Sequence, residues 1–348
     1  MNPSGDDAER AALIEVGRAR TAEREGRAAD AVASYATALS ALAGSDNGAL
    51  IAMVLRRQGN VHLHRGETRE AEALYRESLA RCEECGHASG LASALNCLAS
   101  VVQRHGDLSE AERLYQRAAQ VAGAANETRL AGIVEQNLGI LASLRGDWDV
   151  ALAAYERSLE AFDTIGDDEG ASWVLSNVGR LHSERGEPEL ATRAFARARS
   201  IASSRGDTLV ESTVEQNYAE LLVSQDRLDE AMVACERALA LATQRGDRLR
   251  RAGSLKLRAR IERGYRDYDA AIGSLAEACE LARAAEDSLL EAELLCEVGE
   301  VWRLRGERGV AGAVWSEALA TFNRVGAKRA AVDTAALISH AERPAPQR

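Results

Sequence analysis

Residues 132–171 read GIVEQNLGILASLRGDWDVALAAYERSLEAFDTIGDDEGA, and this stretch decides the fold. A small residue, Gly139, stands seven places before Gly146, and Ala151, Tyr155 and Ser158 follow. Ala151, Tyr155 and Ser158 are spaced i, i+4 and i+7, which places them on one face of a helix. Gly146 suits the end of a first helix, where a left-handed residue is cheap for glycine. Asp147 suits the start of a second. The chain therefore folds back on itself at Gly146. Small residues at 139 and 151 let the two backbones approach closely, and the aromatic ring fills the gap beside them.

The same arrangement repeats outward from this stretch every 40 residues, without slippage. The small residue is Ala19, Gly59, Ala99, Gly139, Gly179, Ala219, Ala259 and Gly299. The turn glycine is Gly26, Gly66, Gly106, Gly146, Gly186 and Gly306, with Asp226 and Arg266 in the two remaining copies. Five residues later stands an alanine in all eight copies, from Ala31 to Ala311. Four further on come Tyr35, Tyr75, Tyr115, Tyr155, Phe195, Cys235, Leu275 and Trp315, and three further on always Ala or Ser. Gly166-Asp167, Gly206-Asp207 and Gly246-Asp247 punctuate one copy from the next, with Asp in the N-cap role. A single helix pair cannot bury its apolar face, so the copies must stack into a solenoid. The expected layout is a flexible start at 1–11 and repeats at 12–51, 52–91, 92–131, 132–171, 172–211, 212–251, 252–291 and 292–331. A capping helix follows at 332–341, carrying Val332, Ala335, Ala336, Leu337 and Ile338, and a disordered tail at 342–348.

Composition agrees with an all-α array in 348 residues. Of four prolines, Pro3, Pro344 and Pro346 lie at the ends, and aromatics make up 4%. Ala, Leu, Arg and Glu dominate, which favours helix. The net charge of −11 opposes nucleic-acid binding through a basic face. No apolar stretch reaches the 18 residues a membrane span requires, and Met1 to Arg10 lack a signal-peptide core. The six cysteines have no small-domain disulfide pattern. A reduced, cytoplasmic chain is expected.

The small–small–aromatic–small signature resembles the tetratricopeptide repeat superfamily over about residues 12–341. The period of 40 is that of its long-helix branch, which includes Pins/LGN and kinesin-light-chain arrays, and bacterial regulators carry similar arrays. The repeat-end proline of the family is absent. The resemblance implies a right-handed α–α superhelix that binds proteins or peptides on its concave side.

In such a superhelix the first helix of each pair lines the groove. One inward position holds Arg57, Cys97, Asn137, Asn177, Asn217, Leu257 and Glu297. The three asparagines form a ladder, and each amide can donate and accept, as gripping an extended backbone requires; the resemblance implies the same use. They could equally brace neighbouring helices. Glu135-Gln136-Asn137 recurs as Glu215-Gln216-Asn217. Arg56, Arg180, Lys256 and Arg260 add cations that could meet carboxylates, while Glu184, Glu220, Glu293 and Glu300 add the opposite sign. The groove therefore reads as basic in the middle and acidic near the eighth repeat. It would suit a peptide acidic near its centre. Trp173 stands ready either to stack on a ligand or to pack between repeats.

Other chemistry is sparse. Cys82, Cys85 and His87, with Cys97 nearby, have the look of metal ligands, but no second Cys pair completes the set. His62 and His182 occupy equivalent positions, which argues for a structural role, and His64 and His105 lie near turns. No phosphate loop, GxSxG or HExxH occurs. The expectation is a scaffold or adaptor without catalysis, cofactor or metal, a monomer or weak dimer bound to neither nucleic acid nor membrane. A regulatory sensor whose superhelix responds to a peptide or small effector is the alternative.

Overall fold

The computed structural model describes residues 5–65, 67–285, 287–325 and 327–342. The turn glycine Gly66 and the tail at 343–348 with Pro344 and Pro346 lie outside the described residues, as do residues 1–4 with Pro3. The described residues form 17 α-helices and no strand. These are α1 (Gly5–Arg24), α2 (Ala28–Ala41), α3 (Gly48–His64), α4 (Thr68–Cys85), α5 (Ala88–Arg104), α6 (Leu108–Ala124), α7 (Thr128–Arg145), α8 (Trp148–Ile165) and α9 (Asp168–Glu184). There follow α10 (Pro188–Ser204), α11 (Thr208–Ser224), α12 (Leu228–Gln244), α13 (Arg248–Gly264), α14 (Tyr268–Ala284), α15 (Ser288–Arg305), α16 (Arg308–Val325) and α17 (Lys328–Glu342). Among the described residues, no helix is long and apolar enough to cross a membrane.

The chain divides into two compact units, Met1–Val174 and Leu175–Arg348. In the first, α1 packs on α2, α3 on α4, α5 on α6 and α7 on α8. In the second, α11 packs on α12, α13 on α14, α15 on α16, and α17 closes on α16. Consecutive odd-numbered helices also touch, α3 with α5 and α5 with α7 in one unit, α11 with α13 and α13 with α15 in the other. No comparable contact joins consecutive even-numbered helices among the described residues. The odd helices therefore line the inner side of each unit, and the fold is an all-α helical repeat solenoid.

The repeat's small residues are where the sequence pattern becomes packing. Every alanine from Ala31 to Ala311 is buried, and so is every residue of the aromatic position from Tyr35 to Trp315. A side chain added at Gly59, Gly139, Gly179 or Gly299 would run into the ring of Tyr75, Tyr155, Phe195 or Trp315 respectively. The choice of Gly or Ala also aims the ring. Over Gly59, Tyr75 lies across the helix and donates to Asn60 Oδ1 at 2.7 Å. Where Ala19 and Ala99 fill that space, Tyr35 and Tyr115 tip one turn further along, to Glu23 and Gln103. Ser78 and Ser158 donate across the same pairs to the carbonyls of Ala52 and Gly132, each at 2.7 Å.

Turn chemistry fixes the boundaries. Gly26, Gly106, Gly146, Gly186 and Gly306 have positive φ, as do the inter-repeat Gly86, Gly166, Gly206 and Gly246. The Asp147 amide bonds back to the Ala142 carbonyl and that of Gly146 to Ser143, both at 3.0 Å, the Schellman pattern. Asp226 and Arg266 adopt the same left-handed conformation with φ of 59° and 61°. Asp107, Asp167, Asp207 and Asp247 cap the helices that follow them. Asp147 and Glu187 make no such bond. Instead Glu187 is held by His182 Nδ1 at 2.6 Å and by Arg185 at 3.1 Å, and Glu67 by His62 and Arg65 in the same way. The equivalent histidines are thus clips at helix ends.

Two stretches differ from expectation at the ends. Residues 5–11 belong to α1 rather than to a flexible start, because Glu9 accepts from Ser45 Oγ at 3.2 Å and Asn47 Nδ2 at 3.0 Å. These bonds pin the first turns of α1 to the loop before α3. In α17 the packed face is Ala331 and Thr334, whereas Val332 is 68% and Leu337 39% exposed. Thr334 lies one period beyond Leu294, which is also buried, so α17 docks through the register that earlier odd helices use toward the preceding repeat.

Gly139→Ala is expected to lower stability by about 1–3 kcal/mol through overpacking against Tyr155. Gly273→Ala, exposed within α14 with open space around it, should raise stability by about 0.5–1 kcal/mol. Arg266→Gly should gain about 1 kcal/mol by relieving the left-handed backbone. Urea-unfolding midpoints of the three variants check all of this.

Candidate functional site

The residues picked out from sequence sit on the inner, odd-numbered helices, half-buried, and fall into both units. Arg56 and Arg57 on α3, Gln136 and Asn137 on α7 and Trp173 on α9 belong to the first. Asn177 and Arg180 on α9, Gln216 and Asn217 on α11, and Lys256 and Arg260 on α13 belong to the second.

In the first unit, Asn137 Nδ2 donates to Asn96 Oδ1 on α5 at 2.8 Å. Its other N–H and its carbonyl oxygen stay available. Arg57 turns back on its own helix, Nε donating to Met53 Sδ at 3.1 Å. Arg56 reaches the Cys97 thiol, which burial pushes up against the pull of that guanidinium. In the second unit, Asn217 Nδ2 donates to Ser176 Oγ on α9 at 2.8 Å. Gln216 lies across Gly253 of α13, its amide atoms 3.6 Å from where a side chain there would begin. Asn177 has no hydrogen bond to any described residue. Two ladder asparagines therefore brace adjacent inner helices with half of their amide, and the third is unengaged.

The recurring Glu-Gln-Asn string is explained by these braces. Glu135 on α7 binds Arg157 on α8 at 2.8 Å. Glu215 on α11, 2% exposed, faces Arg237 on α12 at 3.5 Å and Arg199 on α10 at 3.3 Å. Arg237 also holds Glu211. In both copies the Glu ties the inner helix to the arginine 22 residues later, while the Asn ties it to the residue 41 earlier. The pairing arginines were legible as that constant offset, which the inward-position reading passed over.

Charges on the second unit's inner face largely answer one another. Arg180 binds Glu184 at 2.8 Å and Lys256 binds Glu293 at 2.9 Å. Arg263 binds Glu297 at 3.0 Å, and Arg303 grips both oxygens of Glu300 at 2.7 Å. The acidic end read near the eighth repeat is thus neutralised, because each carboxylate meets a cation one turn or one repeat away. Arg303 also holds the Glu300 carboxyl below its ordinary range. Glu220, half-buried between Arg260, Lys256 and Arg180, is pushed up by burial, and those cations offset only part of the shift. Beyond this row lies a cleft of about 840 Å³ reached by Arg260, Arg308 and Leu337. The sequence analysis did not find it, because Arg308 comes from the outer helix α16 and Leu337, one period beyond Glu297 in the inward register, was read only as part of the cap.

All six cysteines are free. Burial pushes Cys82 up to about 11 and Cys235 up to about 12. His87 Nδ1 accepts from the Gly90 amide at 3.1 Å and so caps α5. His105 lies 3.4 Å from Glu72.

Arg237→Ala should cost about 1–3 kcal/mol, because it strips two recessed carboxylates of a partner. Arg157→Ala should cost less than about 1 kcal/mol, since Glu135 remains in reach of water. Chemical denaturation of the two variants tests the difference.

Tetratricopeptide repeat models match residues 51–84 and, in two overlapping registers, residues 90–164 and 135–204. No curated protein sequence matches the chain. Among solved structures, the apo quorum sensor NprR from B. thuringiensis is similar at 14% identity and a TM-score of 0.61, over 89% of this chain and 87% of that one. The Rap conjugation gene regulator of plasmid pLS20, in complex with the Phr* peptide, is similar at 14% identity and 0.59, over 78% and 76%. A Pyrococcus horikoshii signal transduction ATPase with a tetratricopeptide repeat sensor is similar at 16% identity and 0.55, over 78% of this chain. This chain spans only 43% of that ATPase's length. At such identities the likeness is one of fold. With the 40-residue signature, the buried small–aromatic contacts and the matching repeat models together, the chain belongs to the tetratricopeptide repeat proteins.

Proposed function

We propose that this chain is a protein-interaction module, a scaffold or adaptor that receives an extended peptide or protein segment along its inner helices. The observation that carries the reading is the half-exposed amides of Asn177 and Asn217, one repeat apart on the inner helices of the second unit, and of Asn137 on an inner helix of the first, each with hydrogen-bonding capacity left over. An extended backbone presents alternating donors and acceptors, and an amide can answer both. The peptide complex of the Rap regulator, a protein of similar fold, supports the reading by analogy. The role is binding without catalysis, in the cytoplasm, as a monomer or weak dimer, with no nucleic acid or membrane as partner.

A second reading has a motive of its own: two of the similar structures are named as sensors and one as a gene regulator. Solenoids bend through small changes at each repeat. In this reading the bound peptide alters the curvature and so frees or blocks a further partner. A change of dimensions in X-ray scattering on peptide binding would support it, and unchanged dimensions would leave the adaptor reading.

The test is affinity capture from native lysate, read by mass spectrometry, followed by titration of the captured partner's binding segment. Asn137→Ala/Asn177→Ala/Asn217→Ala should weaken that segment's binding by about tenfold or more, and Asn177→Ala alone should account for much of the loss. The unfolding midpoint of Asn177→Ala should stay at the wild-type value. Full affinity in the triple variant would show that the asparagines only brace the stack.

A further inference from the structure

Three junctions between successive helix pairs are built alike. Val54 and Val61 of α3 sit in the core of the pair before them, among Tyr35, Ala38 and Leu42 of α2. Val134 and Leu141 of α7 enter the core of α5 and α6, and Leu294 and Val301 of α15 enter that of α13 and α14. These six residues are at most 4% exposed. Each odd helix thus presents two residues seven places apart, and the pair before it covers them.

The same two positions in α1 are Ile14 and Thr21, one period before Val54 and Val61. Ile14 is 54% exposed, Thr21 is half-buried, and Leu13 beside them is 53% exposed. Leu13 corresponds to Met53, which packs against the core of the first pair. Between Ile14 and Thr21 the surface opens at Gly17, where an added side chain would meet nothing within 4 Å. The result is a groove of about 540 Å³ between α1 and α2, with Ala22 and Ser34 among its walls. Its charged rim is answered from within: Arg18 binds Glu15 at 2.5 Å, and Arg27 binds both Glu25 and Asp30. The groove therefore offers apolar surface and shape, the terms in which an amphipathic helix is recognised.

The chain itself shows what covers such a surface. On α2, the even helix before α3, the shared core includes Tyr35, Leu39 and Leu42, spaced i, i+4 and i+7. On α14, before α15, it includes Leu275, Cys279 and Ala282 at the same spacing. A second copy has no such helix to lend at its end, because α16 already carries α17 there through Ala331 and Thr334.

We infer that the open side of α1 and α2 is a docking surface in addition to the inner row, and that it receives one amphipathic helix of a partner protein with apolar side chains at i, i+4 and i+7. The bound helix takes the place before α1 that α2 takes before α3, so the interface continues one that the chain already uses.

The experiment uses the full chain and a lactam-stapled, fluorescein-labelled peptide with the sequence of residues 28–43, followed by anisotropy. A second peptide carries Tyr35→Ser, Leu39→Ser and Leu42→Ser. The wild-type chain should bind the first about tenfold or more tightly than the second. Ile14→Glu, a change at an exposed position, should weaken binding of the first peptide about tenfold or more. Gly17→Gln should weaken it as well by filling the groove, while its unfolding midpoint stays at or above the wild-type value, since glutamine is the better helix former. Val233→Glu adds the same charge at a residue 69% exposed on α12 and should change the affinity by less than about twofold. The Asn137→Ala/Asn177→Ala/Asn217→Ala variant should bind the peptide as the wild type does, which separates failure of the inner-row reading from failure of this surface. Equal binding of the two peptides, or wild-type affinity in both Ile14→Glu and Gly17→Gln, would overturn the surface. Self-association in sedimentation velocity that Ile14→Glu removes would give the surface to a second copy and overturn the partner helix.

Discussion

The structure depends on one contact made over and over: the close approach of two helix backbones at a Gly or Ala, with a bulky side chain laid against the gap. Gly139 and Ala151 set the separation of α7 and α8, and Tyr155 fills what they leave. Everything else is arranged around that distance. The left-handed residues at the turns bring the second helix back at the right place, and the serine hydroxyls at Ser78 and Ser158 answer a carbonyl that the tight approach buries. With aromatics at 4% of the chain, such a core has few large side chains to spend, and nearly all the tyrosines it buries sit at this position. Cohesion therefore comes from proximity and fit.

A consequence is that the inner helices are free to carry polar side chains. Their packing faces are settled by small residues, so the half-exposed positions between them bear amides and charges without loss of core. Those side chains are not idle. Asn137 and Asn217 link neighbouring inner helices, and Glu135 and Glu215 link each inner helix to its outer partner. Bracing occupies half of the Asn137 and Asn217 amides, so a ligand that competed for them would also act on the spacing of the repeats. That coupling gives the sensor reading a physical route, through α9, α11 and their neighbours in the second unit.

Electrostatics divides the two units. The inner face of the first is mostly neutral, with Asn60, Ser100 and Ile140 at the position that the second fills with Arg180, Glu220, Arg260 and Glu300. Alternation of sign at the repeat interval lets nearly every charge find an answer within one turn or one repeat. Glu220, set between Arg260, Lys256 and Arg180, belongs to the same scheme.

The sequence by itself determined the helix pairs, their turns and their contact positions, because each is set by local steric rules that repeat: a left-handed residue to end a helix, small residues for close approach, period-3.6 spacing for the buried face. Identity at fixed intervals made those rules readable in residues such as Ala31 to Ala311. It also placed Asn137, Asn177 and Asn217 on the first helix of their repeats, where α7, α9 and α11 carry them. Only the tertiary structure decided which of those amides are spent on bracing, that Val332 faces outward while Thr334 is buried, and that the glutamates of the eighth repeat are neutralised. These depend on side chains that meet across helices 22 to 41 residues apart in sequence, or across α13, α15, α16 and α17 at once. No single-helix period encodes such meetings, and they exist only once the stack has formed.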